Sequence, residues 1–432
     1  MSSTRSFEYF RLFSRLKLFQ PVCLRCHIHR RTLSQDSNAI MTIQQVRDNM
    51  KDILGAQKFY SKDPSAPSKP AIDASTIESQ NALPSRRIAD SENESYIELS
   101  QDDVREKYLT WLKTIRFGRI LEDLDTFAVW TSFKHNSQPW RKISCVTALV
   151  DRIEMRGVLQ TLRNDGDIKM KGRVTWAGTS SMEVTMNLQQ EHSTNNWVDF
   201  LEAKFLMVAR DPVRQRKAFV NPLVPEGEEE QKLYDLGAKC NAARHQTKIQ
   251  ALDKTPPNEE EVKIVHDFFL QTLDPGQTTF KVRVLPPNST WMENALLKSV
   301  ILCQPEERNL YNKIFGGFLM RKAYEVGWMN AYTYSKSLPL ITTAVDDISF
   351  QRSVELGSLL FLSSQVVYTN GPHMQIKVRA EVFDPVSGTR FTTNTFHFTL
   401  SATNGPVPSV VPKTYAEAML YLDGKRHYEA KQ

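Results

Sequence analysis

The chain has 432 residues, 41% apolar and 24% charged, which allows two or three globular domains of ordinary composition. No uninterrupted apolar stretch approaches the roughly 18 residues a membrane helix needs, so no transmembrane segment is expected. The net charge of +6 suggests a nucleic-acid partner until it is located: residues 1–35 hold seven basic side chains and one acid, Glu8, leaving 48 of each sign elsewhere. No basic domain remains, and a nucleic-acid partner is excluded.

Residues 1–34 read as a mitochondrial transit peptide. They are Arg-rich and acid-poor, with Phe7, Phe10, Leu12, Phe13, Leu16 and Leu18 giving amphipathic character. Cleavage is expected near Arg30–Ser34, which would place the mature chain in the mitochondrial matrix. Cys23-Leu-Arg-Cys26-His27 matches the pattern of covalent haem attachment. It lies in the segment expected to be removed, and so short a motif recurs by chance; no haem is assigned. The five cysteines are odd in number and scattered, which does not suggest a disulfide framework. Residues 35–94 are polar and rich in Ser, Asp, Asn and Pro. They read as a flexible linker with one short helix around Ile43–Leu54.

Beyond the linker the sequence repeats. A Gly-containing turn opens a helix at Arg116–Asp125 and again at Ile314–Tyr324. Ala148-Leu-Val-Asp-Arg-Ile153 returns as Ala344-Val-Asp-Asp-Ile348. A strand pair at Val174–Val184 returns at Val367–Ile376. The offsets are 198 or 199, then 195 or 196, then 192 or 193. Alternation in Lys169–Trp176 and Gln375–Val382 marks strands, and Asn370-Gly371 marks a hairpin turn. Each repeat therefore reads as one helix followed by antiparallel strands, an α+β layer structure. The expected domains are 95–235 and 284–405, joined by a helical linker at 236–283 and followed by a tail at 406–432. Glu226–Arg244 and Glu259–Thr272 read as helices.

The two helix starts are where chemistry could sit. A Gly-Gly turn admits a ligand to the backbone, and a first helical turn offers unpaired N–H groups. Gly316-Gly317 could thus hold a thioester oxygen, flanked by Asn309 and Asn312. On the first helix, Asp125 sits at the edge of the apolar stripe Leu121, Leu124, Ala128, so its carboxylate faces the sheet and could deprotonate a water. Aligning Gly118 with Gly317 puts Tyr324 at the place of Asp125. One repeat carries the acid and the other the Gly-Gly turn, which suggests a composite site. No Gly-x-Ser-x-Gly elbow, Walker loop or paired-His zinc motif is present. Cys303 reads as a buried, inert thiol.

The run Cys303–Glu325 resembles the signature loop and helix of hot-dog acyl-CoA thioesterases. From about Ser95 to His427 the chain is similar to the mitochondrial double hot-dog members of that family. Carrying residues are Arg116–Asp125, Val174–Val184, Ala344–Ile348 and Tyr421-Leu-Asp-Gly-Lys-Arg-His427. The resemblance implies a tandem hot-dog fold, each unit a long helix wrapped by an antiparallel sheet. It implies hydrolysis of acyl-CoA to free fatty acid and CoA with no cofactor, coenzyme A being part of the substrate, and no metal. The family's acid falls on Asp125, with Asn309, Asn312 and Gly317 as further catalytic candidates. Gly316, Phe315, Lys313 and Tyr324 are the substrate-binding candidates. Homo-oligomers of double units are also implied. The alternative is a non-catalytic acyl-CoA-binding or regulatory protein of the same fold. A dehydratase is disfavoured because it wants a His at the reacting carbon, and neither loop-helix element supplies one.

Overall fold

Two long helices organise the molecule: Phe117–Asn136, buried on nearly every side, and Gly316–Ser335, buried along one face. The computed structural model describes residues 40–430 apart from 55–76, 78, 139–140, 142, 157–161, 194–195, 212–215, 275, 277–279, 281 and 310. The expected transit peptide and the Cys23–His27 motif lie outside the described residues. In chain order come β1 (Met41–Thr42), α1 (Ile43–Leu54), β2 (Asn93–Ile97), α2 (Asp102–Tyr108), α3 (Phe117–Asn136), β3 (Ser144–Met155), β4 (Ile168–Ala177), β5 (Ser181–Ser193) and β6 (Asn196–Arg210). Then follow α4 (Gly227–Ile249), α5 (Glu259–Gln271), β7 (Ser289–Trp291), β8 (Leu296–Leu302), α6 (Gly316–Ser335), β9 (Leu340–Phe350), β10 (Leu359–Asn370), β11 (His373–Phe383), β12 (Arg390–Ala402), β13 (Ser409–Val411) and α7 (Tyr415–Glu429).

Eleven strands form one sheet in the order β1-β2-β4-β5-β6-β3-β9-β12-β11-β10-β8. Read outward from its centre, the order β3-β6-β5-β4-β2 is matched by β9-β12-β11-β10-β8. The repeat seen in the sequence is therefore a repeat of topology: two hot-dog units, α3 cradled by one half-sheet and α6 by the other. The units join where β3 pairs antiparallel with β9. Leu149 opposes Ser349 and Glu154 opposes Ala344; a shift of 195 residues carries Leu149 onto Ala344 and Glu154 onto Ser349, so it exchanges the two pairs, as a local two-fold axis requires.

Hydrophobic burial explains the arrangement. Strand residues alternate, with Met170, Val174, Val184, Met186, Phe205 and Met207 facing α3 and fully buried, and Ile376, Val378, Phe396 and Phe398 doing the same under α6. α3 approaches the sheet closely because Gly172 carries no side chain; a Cβ there would lie 2.8 Å from the Phe127 ring and 2.9 Å from Thr131 Oγ1. The other sheet face is covered by α4 and α7. Gly237 of α4 packs on Trp176 and Gly424 of α7 packs on Val367. Arg244 of α4 pairs with Asp151 and the buried Glu183, while Lys377 donates to Asp423 of α7 at 2.7 Å. The segment expected as a C-terminal tail thus includes a helix packed on the sheet.

The helix expected at Ile43–Leu54 is present with those bounds. It is packed, unlike a flexible linker: β1 pairs with β2 in parallel, Ile43 and Val46 are buried, and Arg47 forms an ion pair with Asp123 of α3. The apolar spacing Ile43, Val46, Met50 gives α1 a face to bury, which overrides its otherwise polar composition.

Gly172→Ala is expected to destabilise the protein by about 1–3 kcal/mol, the usual cost of overpacking, measured by chemical denaturation. A loss under roughly 0.5 kcal/mol would mean α3 can shift away from the sheet at little cost.

Candidate active site

Asp125 lies in the first half of α3, 2% exposed. Two of its near neighbours on the helix are also buried acids, and both have cations. Asp123 pairs with Arg47 and accepts from Tyr108 Oη. Glu122 pairs with Arg119 at 2.9 Å and Arg321 at 3.1 Å. Among the described residues Asp125 has only neutral donors: the Thr147 hydroxyl of β3 and the backbone N–H of Gly317. Burial pushes its carboxyl up to about 6, against the lowering effect of those two hydrogen bonds, and nearby Glu122 pushes it further. A carboxylate held near neutrality, with no cation to quench it, is suited to moving a proton.

α6 delivers the second half of the site. Its first residue, Gly316, stands against Asp125: a Cβ at this position would lie 3.1 Å from Asp125 Oδ2 and 3.1 Å from the Phe350 ring. Gly317 is buried at the crossing of the two helices, where a Cβ would come within 2.9 Å of the Glu122 carbonyl. The preceding loop is pinned by its own hydrogen bonds. Asn309 Oδ1 accepts from the backbone N–H groups of Tyr311 (2.9 Å) and Lys313 (3.1 Å). Ile314 N donates to Val354 O and Phe315 N to Glu307 O, each at 2.9 Å.

A cavity of about 870 Å³ opens over this junction, within the range of small-molecule sites. Asp125, Thr126 and Val129 line it from α3, Ser144–Ala148 from β3, and Arg308, Asn309, Lys313, Phe315 and Gly316 from the loop and the start of α6. Basic side chains Arg210, Lys217 and Arg352 lie on its wall, as do Arg47 and Met50 of α1. Cys145 also borders it, but burial raises its thiol to about 12, so it stays protonated. Cys303 is likewise buried, its thiol pushed up to about 11.

Asp125, Asn309, Lys313, Phe315 and Gly316 are thus brought together, and Gly317 touches Asp125 from behind the cavity. Asn312 is exposed in a left-handed turn with φ 55° and does not border the cavity. Lys313 forms an ion pair with Glu355. Tyr324 is elsewhere, at the two-fold equivalent of Asp125. Its hydroxyl shares a 2.7 Å hydrogen bond with Thr342, the counterpart of Thr147. The place matching Gly316 is filled by Phe117, whose ring meets Tyr324 edge-on at 5.2 Å. Glu325 beside it is paired with Arg116 and Lys322. At this equivalent position both rings are buried and fill the space between the helices.

Sequence reasoning missed Thr147, the Phe350–Val354 wall and the contribution of α1. Thr147 had a signal: Thr147 and Thr342 are 195 residues apart, the offset of the second landmark. The other two come from loop closure and chain reversal, which leave no local pattern. Among the described residues two clusters hold three potential metal ligands, His397/Asp423/His427 and Asp151/Glu183/Cys240, and neither borders the cavity. The His397 and His427 rings lie 3.9 Å apart, tilted by 30°, and Arg244 pairs with Asp151 and Glu183 of the second cluster. No described helix is long and apolar enough to cross a membrane.

No protein-family profile matches the chain. It is 46% identical over 402 residues to mitochondrial acyl-coenzyme A thioesterase 9 of Bos taurus, covering 92% of this chain and 91% of that protein. It is 44% identical over 411 residues to mitochondrial acyl-coenzyme A thioesterase 10 of Mus musculus, covering 93% of each. Among solved structures, an apo hexameric acyl-CoA thioesterase overlays 33% of this chain and 94% of its own, with 27% identity and a TM-score of 0.31. Identity of this order over nearly the full length of both mitochondrial relatives shows that the chain belongs to the acyl-coenzyme A thioesterase family, a family of thioester hydrolases.

Proposed function

We propose that the protein hydrolyses acyl-CoA thioesters to a free fatty acid and CoA, at one site per chain, in the mitochondrial matrix. The observation that carries the mechanism is the Asp125 carboxylate, buried without a cation and in contact with Gly316 at the cavity. Asp125 takes a proton from water as the water oxygen attacks the thioester carbon. The carbonyl oxygen becomes negative beside the first turn of α6, where Gly316 can offer its backbone N–H and the helix dipole favours negative charge. The Gly317 amide is engaged by Asp125, so its part is to hold the base in place. Collapse of the tetrahedral intermediate breaks the C–S bond, and the proton on Asp125 passes to the departing thiolate. Water is the only co-reactant, and no cofactor is needed. Asn309 shapes the loop through Oδ1 and leaves its amide for the substrate. Arg210, Lys217 and Arg352 suit the phosphates of coenzyme A. Assembly is as a homo-oligomer of double units.

Release of free thiol from short, medium and long acyl-CoAs tests this reading. Binding without thiol release at every length would establish the non-catalytic alternative. Asp125→Asn is expected to lower turnover at least roughly tenfold with the fold intact, the scale of a lost general base, while Tyr324→Phe costs less. A larger loss in Tyr324→Phe would put the site in the wrong repeat.

The raised carboxyl fixes two pH dependences. As a base Asp125 must be ionised, so kcat/KM should fall as pH drops through about 6 in the wild type. Stability runs the other way. The folded state binds a proton that the unfolded chain releases near pH 4, so that stabilisation is present below pH 4 and lost as pH rises through about 6. Asp125→Asn removes the buried charge. Its melting temperature relative to wild type should therefore be higher at pH 8 than at pH 5; equal differences at the two pH values would contradict a raised Asp125.

A further inference from the structure

α1 precedes both repeats, yet it borders the cavity. Its inward stripe runs Ile43, Val46, Arg47, Met50. The first two are buried in the core, and the last two line the cavity together with Thr126 and Val129, on the α3 turn that follows Asp125. The helix is held at two points. At its start, β1 pairs with β2 and Ser95 Oγ donates to the Met41 carbonyl at 3.0 Å. Near its middle, Arg47 pairs with Asp123, which Tyr108 also supports. The Arg47 charge is thereby committed to a fully buried acid and is not free to receive a phosphate. Arg210, Lys217 and Arg352 stand on other segments of the wall. What α1 offers the occupant is the Met50 side chain, which is partly buried, packs on the core and lines the cavity, as Val129 does. A thioether chain on that wall suits an alkyl group, and its flexibility lets it follow an irregular surface.

We propose that α1 forms a wall of the acyl-chain pocket, with Met50 as a determinant of chain-length preference and Arg47 as the positioning residue that fixes the helix on α3. The proposal rests on the acyl-CoA reading of the cavity and adds to it the portion of substrate that α1 meets. Truncating Met50 lengthens the pocket at this wall, and enlarging it shortens the pocket.

The test compares the wild-type full chain with Met50→Ala, Met50→Trp, Met50→Leu and Arg47→Met. One readout is kcat/KM over acyl-CoAs of increasing length; the other is Kd for their non-hydrolysable thioether analogues; melting temperatures check folding. Met50→Ala should raise the long-to-short ratio by roughly tenfold, the worth of one or two buried methylene groups. Met50→Trp should lower it by a similar factor, and Met50→Leu should leave it near wild type. Arg47→Met should broaden the chain-length profile in both readouts, an effect that a loss of stability alone would not produce. A uniform change at all lengths would mean that α1 meets the coenzyme portion, and unchanged ratios would mean that it meets neither; either result overturns the proposal. If the wild type binds the analogues with the expected Met50 dependence but releases no thiol, the hydrolase reading fails and the wall stands. If it binds no analogue of any length, both fall.

Discussion

A buried carboxylate without a counter-cation is the feature on which the rest of the site depends. α3 carries acids at 122, 123 and 125, all buried. Two are neutralised by arginines brought from α1, α3 itself and α6. The third is met only by a hydroxyl and an amide. Raising a carboxyl from 3.8 to about 6 corresponds to about 3 kcal/mol against the ionised form. The fold can carry that cost because the surrounding core is extensive and the neighbouring acids are paired. An arginine paired with Asp125 would relieve the cost and return its carboxyl toward the ordinary range.

The large features were legible in the sequence because duplication writes them twice. Three ordered landmarks separated by a slowly drifting offset are enough to infer two helix-and-sheet units, and the α3 stripe is enough to turn Asp125 inward. What the sequence could not supply was direction at the loop. The family resemblance offered both Asn309 and Asn312; backbone geometry separates them, since Asn312 takes a left-handed turn and is exposed while Asn309 holds the loop through its Oδ1. Gly317 was read as a donor to the substrate, but its amide is directed to Asp125. Residues 40–54 were read as linker because their composition is polar. Only the tertiary partners β2 and Asp123 reveal that α1 belongs to the core.

The same duplication shows how the halves diverged. Under the local two-fold axis, Asp125 corresponds to Tyr324, Thr147 to Thr342 and Gly316 to Phe117. The threonine is unchanged in kind and still donates to or accepts from the residue across from it. The other two positions changed together. Where the acid remains, the opposing residue is glycine and the space beside the carboxylate is open. Where the acid has become tyrosine, the opposing residue is phenylalanine and two rings close the space edge to face. Either change alone would be unfavourable. Tyrosine opposite glycine would leave a void, and a phenylalanine opposite Asp125 would crowd the carboxylate and strip it of its remaining solvent contact. The paired differences give apolar core in one half where the other keeps a costly polar pocket. Once both units lie on one chain they need not be identical, and the half that carries the two rings contributes apolar core where the other keeps an open pocket.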